Sequence, residues 1–172
     1  GAHCWGSNGL GQLGNGTNTS SNVPVAVSGM YDAREISIGQ QGQSVCAVRV
    51  NRSVGCWGSN GFGQLGDGTT TNRTTPVSVT SLGAVARLSV GQSHACAIVE
   101  GGYTRCWGSN VAARLGDGTH IDRTTPVMST AISRPSAIAA GAHSTCGIDD
   151  QGAVRCWGGN AYGEAQDRVS NL

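Results

Sequence analysis

A cysteine followed by Trp-Gly recurs at positions 4, 56, 106 and 156, with periods of 52, 50 and 50 residues. Self-similarity at a pitch of roughly 20–50 residues marks solenoids, propellers and arrays, in which each unit buries its faces against its neighbours. The period divides residues 1–172 into one array: repeats 4–55, 56–105 and 106–155, and a partial repeat 156–172. Each Cys-Trp-Gly opens a glycine-rich loop. The copies read SNGLGQLGNGT from Ser7, SNGFGQLGDGT from Ser59, SNVAARLGDGT from Ser109 and a more divergent GNAYGEAQDRV from Gly159. The two extra residues of the first period fit at Gln40-Gln41-Gly42-Gln43, opposite Gly91-Gln92-Ser93.

Between these marks the β signals are short. Strands are expected at 76–79, 85–90, 95–99 and 104–107, with Ala86, Leu88 and Val90 alternating against Arg87 and Ser89. Gly91, Gly101-Gly102 and Gly116-Asp117-Gly118 punctuate them. No window carries a long apolar face at helical spacing. Four short antiparallel strands per unit describe a β-propeller blade, so the expected class is all-β, about 3.4 repeats of a propeller. The 28 glycines suit tight turns between thin sheets and exclude a helical bundle.

Cysteines form three pairs ten residues apart: Cys46/Cys56, Cys96/Cys106 and Cys146/Cys156. Each pair is centred on a turn, at Asn51, Gly101 and Gln151, and residues equidistant from a hairpin turn face each other. Opposed Cβ atoms lie about 4.5–5.5 Å apart, close to disulfide reach. Three hairpin staples point to an oxidising compartment, hence a secreted or cell-surface, extracellular protein. Zinc is the rival reading, with His94 and His143 in matching repeat positions near Cys96 and Cys146; C-x₉-C is not a zinc knuckle. Reduced, buried thiols are the third. Cys4 has no counterpart ten residues upstream, which leaves it free or paired with another chain.

The residues CWGSNGFGQLGDGTTTNRTTPVSV and ARLSVGQSHACAIVEGG resemble the repeats of the regulator of chromosome condensation family. The shared features are Trp-Gly-x-Asn, Gly-Gln-Leu-Gly-x-Gly, a Pro-Val strand and Gly-x-x-His before an apolar strand. The copy with cysteine before Trp resembles bacterial secreted members. The resemblance implies a seven-bladed propeller that serves as a protein-binding scaffold. Members of this architecture include an exchange factor for a small GTPase and an inhibitor of β-lactamases. Some 3.4 repeats are half of such a ring. The chain is therefore expected to be a segment of a longer one, a subunit completed by copies of itself in a ring or filament, or an open arc.

No catalytic constellation is legible, and the chain reads as non-enzymatic with no cofactor and no metal. Asp67, Asp117 and Asp149-Asp150 sit in turns, where an Asp closes its own backbone. The expected contact surface is the loops, through Asn8, Gln12, Asn18, Asn60, Gln64, Asn72, Arg73, Asn110, Arg114, His120 and Arg123. The repeated Trp5, Trp57, Trp107 and Trp157 are expected to pack between blades. The alternative is a lectin-like propeller that binds glycan at the Trp-Gly-x-Asn positions, and a further one is a protein inhibitor of a secreted enzyme. Asn15, Asn18, Asn51 and Asn72 stand in glycosylation sequons. A net charge of +1, with all 11 basic residues Arg, argues against nucleic acid, and no apolar run is long enough for a membrane helix. The partner is then another protein or a second copy.

Overall fold

The structure, a computed structural model, describes residues 1–159; the expectations for Asn160 and the loop after it lie outside them. Thirteen strands make four antiparallel sheets in these residues. The first sheet has two strands, β1 (His3–Gly6) and β2 (Ser21–Ala26). The second is β3 (Ala33–Ile38), β4 (Ser44–Arg49), β5 (Val54–Gly58) and β6 (Arg73–Ser78). The third repeats it with β7 (Val85–Val90), β8 (His94–Val99), β9 (Tyr103–Gly108) and β10 (Arg123–Met128). The fourth contains β11 (Ala137–Ala140), β12 (Ser144–Ile148) and β13 (Val154–Gly158). Strands within each sheet pair in chain order, as in propeller blades.

The sheets are out of phase with the sequence repeat. The Cys-Trp-Gly at 56, 106 and 156 lies on the third strand of its sheet (β5, β9, β13), so one repeat supplies the two outer strands of one sheet and the two inner strands of the next. The outermost strands carry Pro24, Pro76 and Pro126. Proline withholds a backbone donor, which an edge strand tolerates and which discourages foreign pairing.

Three disulfides close the central hairpins, Cys46–Cys56, Cys96–Cys106 and Cys146–Cys156, with Cα atoms 4.1, 4.1 and 4.0 Å apart. Each joins residues directly opposite in register. Their sulfurs are thereby withdrawn from any zinc set. Replacing Cys96 and Cys106 together with serine should lower stability by about 2–3 kcal/mol, the chain-entropy value for so short a loop. A urea titration followed by fluorescence reads this as a lower midpoint with an unchanged far-UV circular dichroism spectrum.

Successive sheets stack face to face. Cys46, Val48, Val54, Cys56 and Leu65 of the second pack against Leu88, Val90, Ala95, Ala97 and Trp107 of the third. Trp57 packs likewise with Cys4, Leu13, Val27 and Met30 of the first. Trp57 and Trp107 are fully buried. Each indole Nε1–H donates backwards across the seam: Trp57 to the Gln12 carbonyl, Trp107 to that of Gln64 and Trp157 to that of Arg114, each at 2.9 Å. Gly-Gln-Leu-Gly, or Ala113-Arg114-Leu115-Gly116 in the third copy, is thus a tryptophan socket. Its last glycine, Gly14, Gly66 or Gly116, has a positive φ, and a Cβ there would lie 2.7 to 2.9 Å from the next indole nitrogen. Trp5 departs from the pattern and is exposed.

Candidate binding surface

The loops from β1 to β2, β5 to β6 and β9 to β10 are each wound around one buried asparagine: Asn8, Asn60 or Asn110. Asn60 shows the design. Its Oδ1 accepts the Leu65 N–H at 2.9 Å, and its Nδ2 donates to the carbonyls of Thr69 and Thr71, both at 3.0 Å. Three separated loop segments thereby share one amide, and Asn8 and Asn110 repeat the Oδ1 bond to Leu13 and Leu115. Asp67 locks the rim. It accepts from Thr69, Asn60 and Arg73, with Arg73 Nη2 2.7 Å away; Asp117 and Arg123 do the same one blade on. Burial pushes both carboxyls up, but the hydrogen bonds from threonine, asparagine and arginine outweigh it and hold them below the ordinary carboxylate range. The first loop has Asn15 and Ser21 in place of this ion pair.

Neighbouring loops are tied together: Gly16 N–H donates to the Thr74 carbonyl at 2.9 Å, and Gly68 N–H to that of Thr124 at 3.0 Å. A belt with so many internal bonds presents its outward side chains without ordering cost at the moment of contact. Asn60→Ala strands the Leu65 N–H and two carbonyls at once and should cost about 3 kcal/mol. Its signature is a falling thermal midpoint with faster proteolysis inside residues 61–72.

Five of the expected contact residues are corrected by this geometry. Asn8, Asn60, Asn110, Gln64 and Arg114 are buried and spend their polar atoms inside the fold, so none of them faces a partner. Gln12 is half-buried and Gln12 Oε1 accepts from Leu10 N–H. Arg73 and Arg123 are partly exposed but ion-paired. Asn18, Asn72 and His120 are exposed, although Asn72 Oδ1 caps the Asn60 N–H at 2.8 Å. The glycan alternative loses its basis at Trp57 and Trp107, whose rings are inaccessible. Exposed apolar side chains that sequence reasoning passed over stand on the same belt: Phe62, Val111 and Ile121. Their signal was an apolar residue within two positions of a loop asparagine or aspartate, which core positions in short strands imitate.

The matching of His94 with His143 is also corrected. His94 pairs with Gly108 across its hairpin, as Ser44 pairs with Gly58 and Ser144 with Gly158. His143 is one residue earlier and exposed, while His94 is fully buried. A one-residue offset in extended chain reverses the side-chain direction. Thr145 Oγ1 donates to the Arg114 carbonyl at 2.9 Å, so it receives the Nε2–H of His94 at 2.8 Å, and Nδ1 is left unprotonated with no partner. Burial, then the charges of Arg114 and His143, lowers the His94 pKa to about 3.

Residues 1–46 and 54–98 match the profile described as Regulator of chromosome condensation (RCC1) repeat, and residues 136–164 match a second profile of that description. The chain belongs to the RCC1 repeat family. Over 95 residues, 54% of this chain and 2% of the relative, it is 30% identical to human E3 ubiquitin-protein ligase HERC2. Among solved structures, human WBSCR16 superposes with a TM-score of 0.79 over 92% of this chain and 43% of that one, at 20% identity. Prp20p of Saccharomyces cerevisiae, described with its binding to Gsp1p and histones, gives 0.76 over 92% and 41%, at 22% identity. These likenesses establish the RCC1 propeller fold. The chain spans less than half of either solved chain and a small fraction of the ligase.

Proposed function

We propose that this RCC1-repeat chain is a non-enzymatic scaffold that binds another protein through its loop belt, in an extracellular setting. The observation that carries the reading is the combination on one rigid belt of exposed Phe62, Val111, Ile121 and His120 with the locked asparagine and ion-pair framework beneath them. Apolar side chains on a preorganised polar rim are the composition of an interface centre. Protein binding by relatives of this fold, such as that described for Prp20p with Gsp1p and histones, supports the class and names no partner here. The three disulfides support an oxidising compartment.

The test is a screen of secreted proteins against the immobilised chain, repeated with Phe62→Ser and Ile121→Ser together. Binding that drops at least ten-fold in this variant, and is unchanged by Asn51→Ala at a hairpin tip, supports the belt. Equal binding by wild type and the double variant overturns it. Self-association is a second reading, favoured by Ile148 and Val154, which are exposed where their counterparts Val48 and Val54 are buried under the next sheet. Sedimentation velocity checks it: a mass that grows with concentration, and falls to the monomer with Val154→Asp, is the expected result.

A further inference from the structure

Antiparallel strands that pair in chain order put successive turns at opposite ends of a sheet. The loop belt joins β5 to β6 and β9 to β10, so the β4–β5 and β8–β9 hairpin tips lie at the other end of the second and third sheets. The two ends differ in charge. On the belt Arg73 and Arg123 are ion-paired and Arg114 is buried. At the hairpin end Arg49 and Arg155 are paired with Asp32 and Asp149. The exposed guanidinium groups of Arg52 and Arg134, also at this end, have no hydrogen-bond or ion-pair partner among the described residues.

Both arginines are held in left-handed backbone. Arg52 has a φ of 67°, where the same hairpin position in the next two sheets is Gly102 at 79° and Gly152 at 82°. Arg134 has a φ of 43°. This conformation is strained for a residue with a side chain and persists where the surrounding structure imposes it. Glycine serves the turn at 102 and 152, so the turn gives no reason for an arginine at 52. A chain of contacts joins the two arginines. The Val50 N–H donates to the Asp32 carbonyl at 2.9 Å, the Val85 N–H to that of Arg52 at 3.0 Å and the Glu100 N–H to that of Ala84 at 2.8 Å. Arg134 lies against the second tip, where a Cβ on Gly102 would stand 3.4 Å from its Cγ. On this strip Val50 is 69% and Tyr103 54% exposed, and Glu100 is its one exposed carboxylate. The cystines 46–56 and 96–106 brace both tips, so the strip is ordered before any contact is made.

We infer that this strip is a docking surface for an acidic segment of another protein, one with aspartate or glutamate on either side of apolar side chains. The guanidinium fork matches a carboxylate in shape and charge, and Arg52 and Arg134 have no internal carboxylate to satisfy. Val50 and Tyr103 supply the apolar ground that the segment's other side chains cover. An anionic polysaccharide would supply the charge without those groups. A second copy of this chain does not fit, because its exposed carboxylates among the described residues, Glu100, Asp122 and Asp150, stand on three separate turns. The surface is at the opposite end from the loop belt, so it stands or falls independently of partner binding there.

The probe is a fluorescein-labelled random copolymer of glutamate and tyrosine, titrated with the oxidised full chain by fluorescence anisotropy at low ionic strength. The expected result is saturable binding that weakens about ten-fold when Arg52→Gly and Arg134→Ala are combined. Phe62→Ser with Ile121→Ser, on the belt, should leave it unchanged. Polyglutamate of equal length should bind several-fold more weakly than the copolymer, since it leaves Val50 and Tyr103 uncovered. Arg52→Gly installs the residue of the other two tips, so its thermal midpoint should hold or rise, and weaker binding cannot then be put down to misfolding. Absence of binding overturns the inference, as does equal binding by the arginine variant or by polyglutamate. Heparin bound as tightly as the copolymer also overturns it, by making the occupant a polysaccharide.

Discussion

Trp107→Ala is expected to destabilise the protein by about 3–5 kcal/mol, the range for a large aromatic removed from a core that collapses only partly. The ring is fully buried between two sheets, wedged against Leu65, Val85, Leu88 and Val54 in one cluster. Its loss also strips the Gln64 carbonyl of the indole donor. Because each sheet is covered chiefly by its neighbours, the defect separates the second sheet from the third. A urea titration should show a lower midpoint, and native-state hydrogen exchange should show loss of protection on β5 and β9 before β1. Trp5→Ala is the internal control. The same residue type at the same repeat position is exposed there, and its replacement should change stability by no more than about 0.5 kcal/mol. Equal losses for the two variants would show that the indoles do not hold the blades together.

Acid should unfold the protein well above the pH at which carboxylates titrate. His94 is neutral in the fold, with a pKa lowered from 6.5 to about 3 by burial and the nearby cations. The unfolded chain therefore binds one more proton than the folded one between those values. Stability from this group is complete above about pH 6.5 and is lost as pH falls towards 3, at up to about 1.4 kcal/mol per pH unit. Asp67 and Asp117 act in the same direction but lower, since their folded pKa values lie below 3.8. Unfolding midpoints in urea at pH 7.5, 6, 5 and 4 measure the slope. His94→Gln should flatten it across pH 4–6, because the variant has nothing to protonate there. A variant as acid-sensitive as the parent above pH 4 would assign the effect elsewhere.

The fold was largely legible because its decisive marks are local. Two cysteines ten apart about a turn specify a hairpin and its register, and the strand at 85–90 was readable from alternation alone. What escaped was whatever depends on the neighbouring blade. Asn60 is a polar residue in a glycine-rich loop, which in one dimension looks like a contact residue; only the folded loop shows Leu65, Thr69 and Thr71 converging on it. Phe62 stands between two loop glycines, where the sequence gives no sign of which way its ring faces, and it is exposed. His94 and His143 looked equivalent because a one-residue offset is invisible until strand pairing is known. The indole bonds to carbonyls 43 and 45 residues back have no sequence signature beyond the period itself.

The phase difference between sheet and repeat bears on how such a gene can change length. An in-frame gain or loss of one unit cuts and rejoins the protein at corresponding points of two sheets. The sheet at the junction is a chimera of two ancestral halves, still obeying one pairing rule, with its cystine made between the newly joined halves. Arrays of this kind can therefore lengthen or shorten by recombination without leaving behind a broken strand order.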